Sequence, residues 1–154
     1  MHPVEVSIYV DADACPVKRE VYRVAERHRT TVYVVANSII ALPRDPWIQR
    51  VVVGSGLDAA DDWIAERAAC GAIVVTADIP LAARCVKAGA VVLAPNGRAL
   101  NDDSVGMALA TRNLMTDLRA AGAMTRGPKP LTDADRSKFL AALHEAIVRL
   151  QRSS

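Results

Sequence analysis

Aromatic residues are rare in this sequence and make up only 4% of its 154 residues. A chain with so few rings carries no aromatic stripe of the kind that stacks single-stranded bases. The hydrophobic fraction is nevertheless 51% and the charged fraction 23%, a balance that argues against disorder. The core must therefore be built from Ala, Val, Leu and Ile, which suits a Val-rich parallel sheet covered by Ala-rich helices.

Cysteine and histidine are also scarce, with three of each. The cysteine count is odd and no pair has C-x-x-C spacing, so neither a disulfide framework nor a zinc site is indicated. Cys15 stands at the start of a predicted helix, where a thiolate would be stabilised. No histidine lies near it in the sequence to activate it, and we interpret Cys15 as an ordinary small residue.

Long hydrophobic runs and a strong net charge are absent as well. No apolar run approaches the roughly 20 residues needed to cross a bilayer, and the first residues lack the plan of a signal peptide. We therefore expect a soluble, cytoplasmic protein with no membrane partner. The net charge of +2 neither indicates nor excludes a nucleic-acid partner.

The sequence does contain short apolar segments that alternate with helical patterns. The predicted strands are Val4–Val10, Thr31–Ala36, Gln49–Val53, Ala72–Val75 and Ala90–Leu93. Such alternation predicts an α/β fold with a mainly parallel five-stranded sheet and right-handed crossovers, and we expect the order 3-2-1-4-5. Two further helices, over 103–121 and 132–150, flank a basic loop at 125–131 and either complete the core or form a homodimer face. We thus expect one domain, with a core at 4–94 and a helical part at 103–151.

Aspartates gather where the predicted strands end. Asp11 and Asp13 follow the first strand and Asp78 follows the fourth, whereas three more stand at the helix after the third strand: Asp58, Asp61 and Asp62. Ligands of parallel sheets bind beyond the carboxyl ends of the strands, at the point where the strand order reverses. Acids without histidine or cysteine suit Mg²⁺ or Mn²⁺, and such ions serve phosphoryl chemistry.

The alternative interpretation of these acids is helix capping, because Asp is favoured at helix N-termini. Capping suits Asp58 and Asp103, the second of which forms a weaker acidic cluster with Asp102. It does not explain Asp11, which ends a buried strand several residues before its helix, and it explains Asp78 poorly. The helical phase leaves open which of the acids at 58, 61 and 62 faces the crevice.

Several of these motifs resemble known proteins. The segment Thr76-Ala-Asp-Ile-Pro-Leu-Ala82 looks like the T-x-D-x-x-L-A signature of PIN-like nuclease domains, and Asp61-Asp-Trp-Ile-Ala65 resembles the acidic helix before it. Over nearly the whole chain, the sequence resembles the bacterial YaiI/YqxD family, which is classed as PIN-like. The motifs that carry this resemblance are V-D-A-D-A-C-P-V-K, V-A-N-S, D-A-A-D-D-W-I, V-V-T-A-D-I-P-L-A and R-G-P. It implies a three-layer Rossmann-like (PIN-like) fold and Mg²⁺- or Mn²⁺-dependent cleavage of RNA.

The resemblance also implies roles for individual residues. It makes Asp11 and Asp78 metal ligands, and Asp13 a further ligand or a supporting acid. One or more of Asp58, Asp61 and Asp62 would complete the site or orient the attacking water. Candidate substrate contacts are Asn37, Ser38, Thr76, Lys18, Arg84, Arg112, Arg126 and Lys129. For Asn37 and Ser38, the alternative is a purely structural turn.

Two other functions fit the sequence. PIN nucleases usually place a further acid after the fifth strand, where this chain has Asn96, and this difference favours a non-catalytic RNA- or protein-binding module of the same fold. The Asp-x-Asp motif would instead supply nucleophile and acid/base in an aspartate-dependent phosphatase. That chemistry usually has Thr or Val two residues after the second Asp, where this chain has Cys15.

Overall fold

In the computed structural model, which describes residues 6–54, 56, 58–110 and 130–152, strands alternate with helices as predicted. The strands are β1 (Ser7–Asp11), β2 (Thr31–Ala36), β3 (Ile48–Val52), β4 (Ala72–Val75), β5 (Val91–Leu93) and β6 (Ala99–Leu100). The helices are α1 (Lys18–His28), α2 (Ala59–Arg67), α3 (Ile79–Lys87), α4 (described over 102–110) and α5 (Asp133–Arg152), with a 3₁₀ turn at Ala12–Ala14.

The sheet has the order β3-β2-β1-β4-β5-β6, which confirms the predicted order 3-2-1-4-5 and adds a sixth strand. The first five strands are parallel. In register, Val10 of β1 pairs with Val34 of β2 and with Val75 of β4. Asp11 therefore stands level with Thr76, the first residue after β4, at the carboxyl edge of the sheet.

Strand β6 was not predicted, because two residues are too short for an alternating pattern. It pairs antiparallel with β5 through a tight turn, in which the Ala94 N–H donates to the Arg98 carbonyl at 2.9 Å. Gly97 has φ +89°, and a Cβ there would lie 2.7 Å from the Lys138 backbone. The turn therefore needs glycine both for its left-handed backbone and for its contact with α5.

Helices cover both faces of the sheet. On one face, α1 and α5 pack on β-strand side chains such as Ile8, Val10 and Ile73, and the α5 residues Phe139 and Leu143 are fully buried. The opposite face carries a second core formed with α2 and α3, whose buried residues include Ile64, Leu81, Val74, Val92 and Val105. This arrangement is the three-layer α/β fold that Val-rich parallel strands favour.

Local hydrogen bonds explain where α5 begins and where α1 ends. At the start of α5, the Thr132 hydroxyl accepts the Asp135 N–H at 3.1 Å, and the Asp135 carboxylate accepts the Thr132 N–H at 3.0 Å. This reciprocal pair is a capping arrangement with Asp in place of the usual Glu or Gln. At the end of α1, Arg29 has φ 54°, and its N–H donates to the carbonyls of Ala25 and Glu26.

Some predictions of local structure need correction or lie outside the described residues. The first strand was predicted over 4–10 and is observed at Ser7–Asp11, so it ends one residue later than predicted and Asp11 is its last residue. The predicted helix 103–121 is helical over 102–110, and its remainder, like the basic loop up to 129, lies outside the described residues. Among the described residues, no helix is long and apolar enough to cross a membrane.

Candidate metal centre

Three aspartates meet at the carboxyl edge of the sheet, although they come from three separate elements. Asp11 ends β1, Asp61 lies in the first turn of α2, and Asp78 precedes α3. One carboxylate oxygen from each lies within 4.8 Å of the others. Like charges this close repel, so ionising all three requires a compensating positive charge. We call these residues the three-aspartate site.

Thr76 connects two members of this site. Its hydroxyl is fully buried and donates to Asp11 Oδ2 at 3.2 Å, while it accepts the Asp78 N–H at 3.0 Å. Asp78 Oδ1 in turn accepts the Leu81 N–H at 3.1 Å and caps α3. This chain of hydrogen bonds fixes the end of β1 relative to the start of α3. Thr76, which was predicted as a substrate contact, thus contacts a carboxylate of the site itself.

Asp11 is 5% exposed, which is unusual for a carboxylate. Burial raises its pKa, and the charges of Asp78 and Asp13 raise it further. Hydrogen bonds from the Thr76 hydroxyl and the Asp13 backbone lower the pKa but do not cancel the increase. The residues described around Asp11 therefore do not fully compensate the negative charge of its ionised carboxylate.

Asp61 is partly buried, and its pKa is raised to about 6. Burial is the largest cause, followed by the charges of Asp78, Asp11 and Asp58, while Arg84 acts in the opposite direction. The charges of the nearby carboxylates thus add to the effect of burial on the pKa of Asp61. A cation bound between them would favour the ionised form of all three.

The rotation of α2 decides which of its acids joins the site. Ile64 is fully buried under the helix, and the Trp63 ring lies 5.9 Å from the ring of Tyr9 and 6.1 Å from that of Tyr33. These contacts anchor α2 on β1 and β2. With that face on the sheet, the side chain of Asp61 points toward Asp11.

The remaining predicted acids lie outside this group. Asp62 is exposed and accepts a hydrogen bond from Arg84 Nη1 at 2.8 Å, in a salt bridge on the surface. Asp13 and Asp58 are exposed and affect the site through their charge, which raises the pKa of Asp11 and of Asp61 respectively. Although Asp58 was the best candidate for a helix cap, its side chain makes no capping hydrogen bond.

The predicted substrate contacts are dispersed. Asn37 and Ser38 are exposed where β2 ends, and Lys18 donates to the Cys15 carbonyl at 2.9 Å. Arg84 is paired with Asp62. Three candidates lie outside the described residues: Arg112, Arg126 and Lys129.

Cys15 is 2% exposed, and burial raises the pKa of its thiol to about 11. A thiol of this kind is protonated at neutral pH and unsuited to nucleophilic attack, which agrees with our interpretation of Cys15 as an ordinary small residue.

A cleft of about 740 Å³ adjoins Asp78. It is lined by Ala14, Ala77, Asp78, Ile79, Arg98, Ser104, Met107 and Ala108. Arg98 supplies a cation beside Asp78, whereas the Ser104 hydroxyl donates to the Asn101 carbonyl at 3.2 Å, and neither residue was predicted as part of the site. Arg98 follows the turn at Pro95-Asn96-Gly97, and its position at the cleft depends on the unpredicted strand β6.

Comparison with known proteins places the chain among bacterial relatives. Residues 9–149 match the family model described as "Uncharacterized BCR, YaiI/YqxD family". A "UPF0178 protein" of Azorhizobium caulinodans is 65% identical over 151 residues, which cover 98% of this chain and 95% of the relative. A "UPF0178 protein" of Rhodopseudomonas palustris is 65% identical over 145 residues, which cover 94% of this chain and 88% of the relative. No solved structure gives a significant match. The family model spans most of the chain, and the chain therefore belongs to the YaiI/YqxD family.

Proposed function

We propose that this protein is a divalent-metal-dependent hydrolase of phosphodiester bonds, with RNA as its substrate. The observation that carries this proposal is the three-aspartate site, in which carboxylate oxygens of Asp11, Asp61 and Asp78 lie within 4.8 Å of one another, and of these three residues Asp78 lines a cleft. The PIN-like resemblance of the sequence motifs supports the same chemistry.

The donor set fits Mg²⁺ or Mn²⁺. These ions prefer carboxylate oxygens, and the group contains no histidine or cysteine to favour zinc. The raised pKa of Asp11 and of Asp61 supports the fit, because the described surroundings do not fully compensate the negative charge of either carboxylate. A divalent ion held by Asp11, Asp61 and Asp78 would supply an activated water and stabilise negative charge on the reacting phosphate.

The chain's own residues would prepare and position the reactants. Thr76 holds the Asp11 carboxylate at one end of the site and the Asp78 backbone at the other. Arg98 lines the adjoining cleft, where its guanidinium is placed to contact a phosphate of the bound strand.

The position of Asp13 disfavours the phosphatase alternative. A phosphatase of the Asp-x-Asp type needs both carboxylates at the reacting phosphate, one as nucleophile and one as acid/base. Asp13 is exposed and lies outside the three-aspartate site, whereas Asp11 is buried within it. The non-catalytic binding module differs from our proposal in turnover, which is what the following experiment measures.

The test is an RNA cleavage assay with purified full-length protein. Mixed-sequence single-stranded RNA is incubated with Mn²⁺, Mg²⁺ or EDTA, beside an Asp11→Asn/Asp78→Asn variant and an Asp62→Asn control. Asp62 is a matched control because it is an acid of the same helix as Asp61 but is paired with Arg84.

We expect cleavage with Mn²⁺ or Mg²⁺ that EDTA abolishes, that the double variant lacks, and that the control retains. Absence of cleavage by the wild type under every condition would overturn the nuclease proposal in favour of the binding module. Cleavage that persists in the double variant would assign the activity to another site or to a contaminant.

A further inference from the structure

A second polar feature lies between helices α1 and α5, on one face of the sheet. The two helices run parallel and in register, as shown by two contacts along their length. Near the start of both, Arg136 Nη1 lies 3.2 Å from Glu20 Oε1, and eight residues further along both helices His144 Nδ1 lies 2.7 Å from His28 Nε2. We call the surface between them the α1–α5 groove.

Two clefts follow one another along this groove. The first has a volume of about 490 Å³ and is lined by Cys15, Pro16, Lys18, Arg19, Glu20 and Arg136. The second has a volume of about 390 Å³ and is lined by residues further along both helices, among them Arg23, Arg27, Ser137 and His144. The lining of the two clefts thus contains five side chains of Lys or Arg and one carboxylate, that of Glu20, which is paired with Arg136.

Three arginines of α1 form a row along the groove. Arg19, Arg23 and Arg27 are spaced four residues apart and therefore lie on one side of the helix, roughly 6 Å from turn to turn. All three are exposed, and none has a salt bridge or side-chain hydrogen bond to another described residue. Like charges at this spacing slightly destabilise a helix, so the row is not explained by the stability of α1.

The groove continues from the three-aspartate site. Ala14 lines the cleft beside Asp78, and the next residue, Cys15, lines the first cleft of the groove. The Ala14 carbonyl accepts the Ala77 N–H at 3.1 Å, which fixes this boundary between the two. A strand whose reacting phosphate lies beside Asp78 could therefore pass over Ala14 and Cys15 and continue along the arginine row.

We propose that the α1–α5 groove binds the phosphate backbone of single-stranded RNA and leads the strand to the three-aspartate site. The choice of RNA as the ligand rests on the proposed function. A regular row of unpaired guanidinium groups matches a chain of phosphates, since Arg binds phosphate through paired N–H donors. The described residues that line the two clefts include no Phe, Tyr or Trp, so we expect binding to depend on phosphate charge rather than on base stacking.

The test measures RNA binding without turnover. Fluorescence anisotropy of a fluorescein-labelled single-stranded RNA is recorded with full-length protein in EDTA over a range of salt concentrations. The groove variant is Arg23→Gln/Arg27→Gln. The matched control is Arg67→Gln/Lys87→Gln, which removes the same charge from the ends of α2 and α3 on the other face of the sheet. Circular dichroism melts verify that both variants fold.

We expect the groove variant to bind RNA about tenfold more weakly than the wild type at moderate salt. The slope of log affinity against log salt should also decrease in magnitude by about 1.4, because each phosphate contact on a single strand contributes roughly 0.7. The control should retain wild-type affinity to within about twofold.

Equal losses in the two variants would attribute binding to overall charge and would overturn the proposal. A wild type that binds no RNA, or a groove variant that binds as well as the wild type, would overturn it as well. Each of the two proposals can be refuted without the other, because the binding assay contains no metal and the cleavage assay does. Groove-dependent binding without metal-dependent cleavage refutes the nuclease alone, and cleavage with an unaffected groove variant refutes the groove alone.

Discussion

Asp11 and Asp78 both stand at the carboxyl ends of neighbouring strands, β1 and β4, yet their surroundings differ. Asp78 is partly exposed, and its carboxylate accepts the Leu81 N–H and begins helix α3. Asp11 is 5% exposed, and it precedes a 3₁₀ turn rather than an α-helix. Its pKa is raised by burial, although the Thr76 hydroxyl donates to it.

This difference distinguishes an aspartate that stabilises the fold from one that does not. Asp78 would be retained for capping alone, since replacing a capping Asp by Ala costs about 1 kcal/mol. Asp11 gives the fold no such benefit, because a buried carboxylate without a counter-charge is destabilising. Asp11 and Asp61 therefore support the proposed metal site more strongly than Asp78 does. The following variants test this difference between the three residues.

The largest effect should come from Asp11→Asn. We expect metal-dependent RNA cleavage to fall more than a hundredfold, since a ligand should matter at least as much as a residue that supports one. In EDTA the variant should be no less stable than the wild type, because the amide removes a buried charge of raised pKa. Cleavage assays and urea unfolding measure the two effects, and a variant that unfolds more easily in EDTA would contradict our account of Asp11.

Asp78→Ser and Asp78→Ala should separate the two roles of Asp78. Both remove the carboxylate and should lose cleavage to a similar extent, by about a hundredfold. Only the alanine variant also loses the cap of α3, at a cost of about 1 kcal/mol, because serine caps helices nearly as well as aspartate. Urea unfolding of the two variants in EDTA tests this, and equal stabilities would show that the Leu81 hydrogen bond contributes little.

Thr76→Val should lower cleavage by about 10–100-fold, because Asp11 would lose the hydroxyl that positions it. Valine also leaves the buried Asp11 oxygen and the Asp78 N–H without this partner, which should cost about 1–3 kcal/mol of stability. Thr76→Ser keeps the hydroxyl and should retain most of the activity. A serine variant as inactive as the valine variant would assign the role to the methyl group.

Asp61 should make the stability of the metal-free protein depend on pH. Its pKa is raised to about 6 in the folded protein from an ordinary value of 3.8, so the folded state binds the proton more tightly than the unfolded chain. This contribution to stability is present below about pH 4 and is lost as the pH rises through about 6.

In EDTA we therefore expect Asp61→Asn to be more stable than the wild type at pH 8 by about 1 kcal/mol, after allowance for solvent screening. The difference should shrink at pH 4, where the wild-type carboxyl is protonated. Urea unfolding at the two pH values measures both quantities. A difference of equal size at pH 4 and pH 8 would mean that ionisation of Asp61 is not its cause.

The smallest effect should come from Asp62→Asn. This acid lies beside Asp61 but forms an exposed salt bridge with Arg84, and such pairs contribute roughly 0–1 kcal/mol. We expect stability within about 0.5 kcal/mol of the wild type and cleavage within about threefold. A loss as large as that of Asp11→Asn would place Asp62 in the reacting site and revise the assignment on α2.

The sheet order could be predicted because it follows from the alternation of strands and helices, and the meeting of Asp11 with Asp78 follows from that order. The choice of Asp61 over its neighbours could not, since it depends on the packing of Trp63 against rings of two different strands. Capping propensity alone favoured Asp58, whereas the structure places the cap hydrogen bond on Asp78. Local propensity cannot tell which of several acids a tertiary contact will select.

The most direct test of a metal at the three-aspartate site is a titration of metal-free protein with Mn²⁺, measured by isothermal titration calorimetry. The wild type is compared with the variant Asp11→Asn/Asp61→Asn. Both carboxylates of the double variant belong to the three-aspartate site, and neither residue is the N-cap of an α-helix. The account predicts saturable Mn²⁺ binding by the wild type and its loss in a double variant that remains folded. Equal Mn²⁺ binding by the two proteins, or no binding by the wild type, would contradict it.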